Sequence, residues 1–153
     1  MKDLLTAPPQ HEAGIPPLDD PHWMAEGPGK WSLPLGFLPD GAGWVELMRL
    51  DPGVKLGLHR HTGAVHAVNL QGWRRLHTGR RVGPHEYVYE PPGNVDWWQS
   101  EEAGPLVLWV AVMGTVEYLG AGGTVLKTIT AGDRQAACHR HCTERGLVPR
   151  ALG

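Results

Sequence analysis

The sequence is poor in cysteine and has no long apolar run, and each shortage excludes a class of protein. Two cysteines, Cys138 and Cys142, are too few for the disulfide framework of a small secreted domain. No stretch approaches the roughly 18 consecutive apolar residues that a membrane-spanning helix needs. The first ten residues, MKDLLTAPPQ, lack the apolar region of a signal peptide. We therefore expect a cytoplasmic protein that does not associate with membranes.

The sequence also lacks an excess of charge of either sign. The formal net charge of −2 over 153 residues gives no overall attraction to a polyanion, so nucleic acid is not expected as a partner. The basic stretch at residues 73–81, WRRLHTGRR, is interpreted as a solvated hairpin that could steer an anionic substrate. A small molecule is the expected binding partner.

Helical patterns are nearly absent, whereas the residues that favour turns are abundant. The chain contains 21 glycines and 14 prolines, and eight or more short strand-like runs follow one another at close spacing from Trp44 onward. This pattern predicts an all-β protein, either a closed barrel or jelly roll or a sandwich of the immunoglobulin type.

The chain is expected to form a single domain with three parts. Residues 1–30, rich in proline, glycine and acidic residues, are predicted to be an extended arm anchored by the burial of Trp23 and Trp31. Residues 31–132 are predicted to form the β-barrel, and residues 133–153 a C-terminal helix and tail. Asp133 is the expected N-cap of the helix, and Gly146 is expected to end it.

Nine histidines make a metal site the first functional hypothesis. His59 and His61 lie two positions apart in a predicted strand, so their imidazoles project from the same face of a sheet. His66 follows five residues later, across a Thr62-Gly63 turn, and we expect it to return opposite the pair. Three unpaired imidazoles in a barrel interior would be costly to bury, which favours a bound metal.

These residues resemble the two motifs of the cupin family. Gly53, five residues, His59-Arg60-His61, four residues and His66 are similar to the first motif, in which a glycine precedes an HxH pair and a later glutamate. Residues 91–96, PPGNVD, are similar to the second, a P-x-G with a histidine following. Further stretches resemble the 2,4′-dihydroxyacetophenone dioxygenase branch over about residues 22–146: Gly29-Lys30-Trp31, Trp44-Val45-Glu46-Leu47, HRHTGAVHA (59–67), YVYEPPG (87–93) and Gly122-Gly123.

The resemblance implies a single-domain cupin barrel, a double-stranded β-helix, with two altered ligand positions. His66 occupies the position of the cupin glutamate, and Asp96 occupies that of the second-motif histidine. The implied ligand set is therefore His59, His61, His66 and Asp96. Asp96 could bind the metal directly, bind it through water, or only accept a hydrogen bond from a metal-bound histidine.

Two histidines and a carboxylate with open positions are typical of non-haem Fe(II) sites. The resemblance implies a dioxygenase that uses iron and O₂ to cleave a carbon–carbon bond beside a hydroxyketone or diketone. Zinc or another divalent ion suits the same ligands and would favour non-redox chemistry, such as cyclisation, isomerisation, hydrolysis or decarboxylation. A cupin that only binds or senses a small molecule is the third alternative.

Several aromatic residues are candidates for the substrate pocket. Trp98 shares a strand face with Asp96, and Tyr89 and Trp109 are predicted to face the interior as well, where they could stack on an aromatic substrate. Glu90 is a candidate catalytic base or a residue that orients a ligand. A homodimer or homotetramer is expected, with an arm that could be exchanged between subunits.

Other metal-ligand residue types are interpreted as structural. The tail sequence Cys138-His139-Arg140-His141-Cys142 cannot easily wrap one ion, so its cysteines are predicted to dock the helix on the barrel. Surface positions are expected for the scattered histidines, which are His11, His22, His77 and His85.

Overall fold

The computed structural model describes residues 15–153; residues 1–14 of the predicted arm lie outside the described residues. The described chain forms twelve strands and one helix. The strands are β1 (Met24–Gly27), β2 (Lys30–Phe37), β3 (Gly43–Leu50), β4 (Lys55–His61), β5 (Val65–Gln71), β6 (Arg74–Leu76), β7 (Arg81–Val82), β8 (Tyr87–Glu90), β9 (Val95–Ser100), β10 (Leu106–Met113), β11 (Val116–Leu119) and β12 (Val125–Ile129). The helix, α1, covers Ala131–Arg145.

The strands form two six-stranded sheets with antiparallel neighbours. Sheet 1 has the order β1-β2-β3-β10-β5-β8, and sheet 2 has the order β12-β11-β4-β9-β6-β7. From β3 to β11 every connection crosses to the other sheet except the β6–β7 hairpin. This alternation is that of a jelly roll. The prediction of an all-β jelly-roll barrel is confirmed, and the immunoglobulin-type alternative is wrong.

The main core lies between the two sheets. The two-residue period of a strand turns Leu108, Val110 and Val112 of β10 inward, towards Leu56 and Trp98 from sheet 2. The buried members of this core are Trp44, Leu50, Leu56, Val65, Ala67, Trp98, Leu106, Leu108, Val110, Val112, Val116 and Ala131.

A second apolar cluster covers the outer face of sheet 1. Trp23 is buried there against Leu33 and Leu47, and its indole Nε1–H donates to the carbonyl of Pro17 at 3.1 Å. The expected burial of Trp23 is therefore confirmed. Trp31 is half-buried within β2, where the guanidinium of Arg49 stacks at 4.4 Å from its ring.

Helix α1 packs against β2 and β3 of sheet 1, and its caps are well defined. Thr130 is the N-cap, and the Thr130 hydroxyl and the Asp133 carboxylate each accept from the other residue's backbone amide in a capping box. The expected N-cap at Asp133 is therefore three residues too late. Gly146 ends the helix in the left-handed conformation, at φ 63°, as predicted. Within residues 15–153, no helix is long and apolar enough to cross a membrane.

The two cysteines dock the helix on the barrel, as predicted. Cys138 and Cys142 are free and buried, and they pack against Met24. Burial, assisted by the neighbouring Cys142, raises the pKa of the Cys138 thiol to about 11. A thiol in that state is a poor nucleophile and a poor metal ligand at neutral pH, so the pair has a packing role.

A buried ion-pair network fixes the helix to sheet 1. The Nη2 of Arg134 donates to Glu26 Oε1 and Ser32 Oγ, each at 2.7 Å, and to Glu46 Oε2 at 3.2 Å. Burial raises the pKa of the Glu46 carboxyl, although the charge of Arg134 opposes that change. The charge of Arg134 is therefore what makes an ionised carboxylate tolerable at this depth.

We expect Arg134→Met to lower the free energy of unfolding by about 3 kcal/mol, because it leaves Glu46 buried without a cation. Urea denaturation followed by tryptophan fluorescence measures this loss. The double variant Arg134→Met with Glu46→Gln should recover part of it. The control Arg140→Met changes an exposed arginine of the same helix and should shift stability by less than about 0.5 kcal/mol. Equal effects of the two single variants would contradict the assignment.

Candidate metal centre

An irregularity in β4 determines which of its side chains face the interior. The pairing of β4 with β9 shifts register between Leu56 and His59, and such a bulge changes the face that the following residues occupy. Leu56 and His59 are therefore both buried although they lie three positions apart, and His61 follows on the same side. Arg60, between the histidines, points outward and donates to Glu117.

A backbone hydrogen bond holds the His59 ring in place. Its Nδ1 lies 2.8 Å from the carbonyl oxygen of Gly57, within the bulge. A carbonyl only accepts, so Nδ1 carries the proton and the lone pair of Nε2 is free. Metal-binding histidines are commonly oriented by such a bond. The His59 and His61 rings meet edge to face, with centroids 4.9 Å apart and planes at 87°.

His61 is buried and incompletely satisfied. Its Nδ1 has no hydrogen-bond partner among residues 15–153, and its Nε2 lies 3.9 Å from Glu90 Oε2. Burial, and then the proximity of His59, lowers the pKa of His61 to about 4. The imidazole is therefore neutral at physiological pH, which is the form that binds a metal.

Glu90 supplies a carboxylate beside the two imidazoles. It ends β8, where the strand period turns Val88 and Glu90 inward. Asn94 Nδ2 donates to Glu90 Oε1 at 2.7 Å, which leaves Oε2 directed at His61. Burial raises the pKa of the Glu90 carboxyl, and the negative charge of Asp96 adds to that effect.

These three side chains form a cluster that could hold a metal ion. One donor atom each from His59, His61 and Glu90 lies within 4.8 Å of the others, and all three residues are buried. Nε2 of His61 and Oε2 of Glu90 lie 3.9 Å apart, too far for a hydrogen bond, and no cation of the described residues is at salt-bridge distance from the buried carboxylate. A divalent cation would bind both atoms and offset the cost of burying the carboxylate, so the residues present fit a metal.

Asp96 lies close to the predicted site but outside this donor cluster. It is buried opposite His59 in the β4–β9 register, and its Oδ1 is hydrogen-bonded to Nδ1 of His77. The structure therefore gives Asp96 a hydrogen-bond partner, and its role as a metal ligand stays a prediction. His77, expected to be an ordinary surface histidine, is thereby tied to the barrel interior. Among the other scattered histidines, His11 lies outside the described residues.

The prediction that His66 joins the histidine pair is wrong. Strand β5 begins with Val65 buried, so the two-residue period turns His66 to the outer face. There its ring lies 5.9 Å from that of Tyr87 and 5.3 Å from that of Tyr89, and its Nδ1 is hydrogen-bonded to the Tyr87 hydroxyl at 2.5 Å. Glu90, paired opposite Val65, occupies the interior position instead.

Of the three predicted pocket aromatics, only Trp98 faces the interior. It is buried and lines the cavity beside the histidines. Tyr89 is 51% exposed on the outer face of sheet 1. Trp109 alternates with the inward residues of β10 and packs in the outer apolar cluster with Leu47. The predicted pocket roles of Tyr89 and Trp109 are therefore wrong.

The cavity between the sheets has a volume of about 230 Å³. Its walls are mainly apolar, and polar residues lie at two places: His59, His61 and Glu90 with the buried Arg74 at one, and Glu46 with Arg134 at the other. Arg74 belongs to the basic stretch interpreted as a solvated hairpin. Residues 73–81 do contain the β6–β7 hairpin, but Arg74 points into the barrel.

Comparisons with known proteins agree with this geometry. A cupin-fold protein of unknown function from Ralstonia eutropha JMP134 is 25% identical, with a TM-score of 0.74 over 81% of this chain and 79% of that one. The acetylacetone dioxygenase of Acinetobacter johnsonii is 15% identical, with a TM-score of 0.72 over 88% of this chain and 97% of that one. At 15% identity, the similarity to the acetylacetone dioxygenase shows a shared fold and nothing more.

A third similar structure is the complex of Rhodobacter sphaeroides SigE with the anti-sigma ChrR, at 22% identity and a TM-score of 0.55 over 63% of this chain and 50% of that one. No curated protein matches the sequence significantly. The family model of the ChrR cupin-like domain matches residues 14–112, which is more than half of the chain. The chain therefore belongs to the ChrR cupin-like family, as the two sequence motifs and the jelly-roll topology indicate.

Proposed function

We propose that this cupin is a non-haem Fe(II) dioxygenase that cleaves a carbon–carbon bond of a hydroxyketone or diketone. The main support for the proposal is the cluster of His59, His61 and Glu90 at the wall of the cavity between the sheets. Two imidazoles and one carboxylate leave coordination positions open for a chelating substrate and O₂. Bound iron would supply the oxidative chemistry, for which no side chain of the cavity is suited.

The residues around the cluster have defined supporting roles in this proposal. The Gly57 carbonyl holds the tautomer and orientation of His59, and Asn94 holds one oxygen of Glu90. Trp98 and Val110 line the space beside these donors. A substrate with an apolar or aromatic body would therefore contact a mainly apolar wall next to the metal.

The likeness to an acetylacetone dioxygenase supports the proposal at the level of the fold. Because one fold hosts many activities, the two histidines and the glutamate support the dioxygenase proposal more strongly than the structural similarity does. Zinc is the second candidate, because two histidines and a glutamate with an open position also form catalytic zinc sites. A zinc-loaded protein would polarise a carbonyl without consuming O₂.

We expect one divalent metal per chain in protein purified without added metal, and His61→Ala or Glu90→Gln should lower that content at least tenfold. Each change removes one of the three donors of the cluster, and loss of even a residue that hydrogen-bonds a ligand commonly costs on the order of 10- to 100-fold in metal affinity. Elemental analysis by plasma mass spectrometry measures the metal. The matched control is His66→Ala, which removes an imidazole from the outer face. Equal metal loss in His66→Ala and His61→Ala would contradict the proposed ligand set.

Iron-loaded protein should consume O₂ when a hydroxyketone or β-diketone is added, and the zinc-loaded protein should not. An oxygen electrode and product analysis by mass spectrometry measure the two quantities. Glu90→Gln should abolish the O₂ consumption, whereas His66→Ala should keep it. Tightly held zinc with no O₂ consumption by the iron-loaded form would refute the dioxygenase and favour the non-redox alternative.

A further inference from the structure

Arg74 is a cation in the interior of the barrel that the proposed metal chemistry does not use. It opens β6 and pairs with Ser100 of β9, so its side chain enters the cavity on the inner face of sheet 2. Only 2% of the residue is exposed. Burying a guanidinium this deeply is costly unless its donors are matched by acceptors.

The donors of Arg74 are only partly matched by the protein. Nε donates to Asn69 Oδ1 at 3.3 Å, and the guanidinium lies 4.9 Å from the centre of the Trp98 ring. Its buried Nη2 has no hydrogen-bond partner among residues 15–153. Arg74 thus lines the cavity beside this tryptophan, and one of its N–H donors is unmatched by residues 15–153.

The charges around Arg74 favour an anion once a metal is bound. Glu90 and Asp96 are the carboxylates whose negative charges act on Arg74, and Arg80 is a cation that acts on it as well. With a divalent ion in place, the positive charges of the ion, Arg74 and Arg80 exceed the negative charges of Glu90 and Asp96. This local excess of positive charge is complementary to a carboxylate.

The other buried arginine of the cavity is not a comparable site. The Nη2 of Arg134 is already hydrogen-bonded to Glu26, Ser32 and Glu46. Its charge is offset by the two carboxylates of that network. The Nε of Arg134 also lacks a hydrogen-bond partner within residues 15–153. Two carboxylates already lie at salt-bridge distance from Arg134, whereas no carboxylate of the described residues lies that close to Arg74.

We propose that Arg74 binds a carboxylate of the substrate, so that the hydroxyketone or diketone of the proposed reaction is the oxygen-bearing part of a small carboxylic acid. This inference rests on the proposed function for the orientation of the ligand, with its ketone oxygen towards His59, His61 and Glu90. Arginine suits the role because its planar fork matches a carboxylate with two parallel hydrogen bonds. The apolar walls contact the carbon skeleton between the two polar ends.

The test is calorimetric titration with three matched β-diketones: 2,4-dioxopentanoate, its methyl ester and pentane-2,4-dione. Zinc-loaded protein is used so that no O₂-dependent turnover occurs, and metal-free protein is titrated in parallel. We expect wild-type protein to bind the acid at least about tenfold more tightly than the ester, as is reasonable for a charge-assisted hydrogen bond. Arg74→Met should remove this preference while leaving the affinity for pentane-2,4-dione and the metal content within about twofold.

The matched control is Arg75→Met, one position along the same strand. Arg75 points outward, with 56% of its side chain exposed, and pairs with Glu101 at 3.7 Å. This change removes the same charge from the chain and should keep the preference for the acid. Arg74→Lys retains the charge without the fork, and it should show an intermediate preference; it also serves as the second variant if Arg74→Met does not fold.

The preference for the acid decides the proposal. A preference that persists in Arg74→Met or Arg74→Lys at the wild-type level, or that falls equally in Arg75→Met, would overturn it. Equal binding of acid and ester by wild-type protein would overturn it as well. Absence of O₂ consumption together with an Arg74-dependent preference would refute the dioxygenase and leave the carboxylate site standing, so the two failures are distinguishable.

Discussion

The barrel interior combines an apolar wall with a small group of buried ionisable side chains, and the two-residue period of the strands determines which residues belong to it. His59, His61 and Glu90 face inward because a bulge in β4 and the end of β8 place them there. Asp96 and Arg74 enter from the neighbouring strands of sheet 2. Burying any one of these ionisable groups alone would be costly. The rest of the site must therefore keep them close enough to offset one another's burial cost.

The protein satisfies these buried groups unevenly. Asp96 is paired with His77, His59 with the Gly57 carbonyl and Glu90 with Asn94. The Nδ1 of His61 and the Nη2 of Arg74 have no hydrogen-bond partner within residues 15–153. Unsatisfied groups that line one cavity are the physical mark of a binding site, because a ligand can offset the cost of burying them.

The sequence predicts the fold and the histidine pair because both depend on local patterns. Turn residues and short strands indicate the all-β class, and the i, i+2 spacing places His59 and His61 on one face. The predictions that His66 and Tyr89 face the interior fail for one reason. Their apolar neighbours Val65 and Val88 point inward, so the strand alternation turns His66 and Tyr89 outward. This alternation of inward and outward residues can be read from the sequence. Applied to β8, it would also have placed Glu90 inward.

Other features of the site have no local signal. Trp109 lies in a continuous apolar run that is buried on both faces of the sheet, so its orientation depends on the register with β3 and β5. Arg74 resembles its exposed neighbour Arg75 in the sequence and is distinguished only by the sheet pairing. The pairing of Asp96 with His77 of the β6–β7 hairpin is likewise a contact between residues 19 positions apart.

Anomalous diffraction from crystals of the metal-loaded protein tests the central claim most directly. Data collected on either side of the absorption edge of the bound metal locate the ion and identify the element. We expect one anomalous peak per chain, about 2.0–2.2 Å from nitrogen atoms of His59 and His61 and from a carboxylate oxygen of Glu90. A peak bound by Asp96 and His77 without Glu90, or one on the outer face at His66, would contradict the proposed centre.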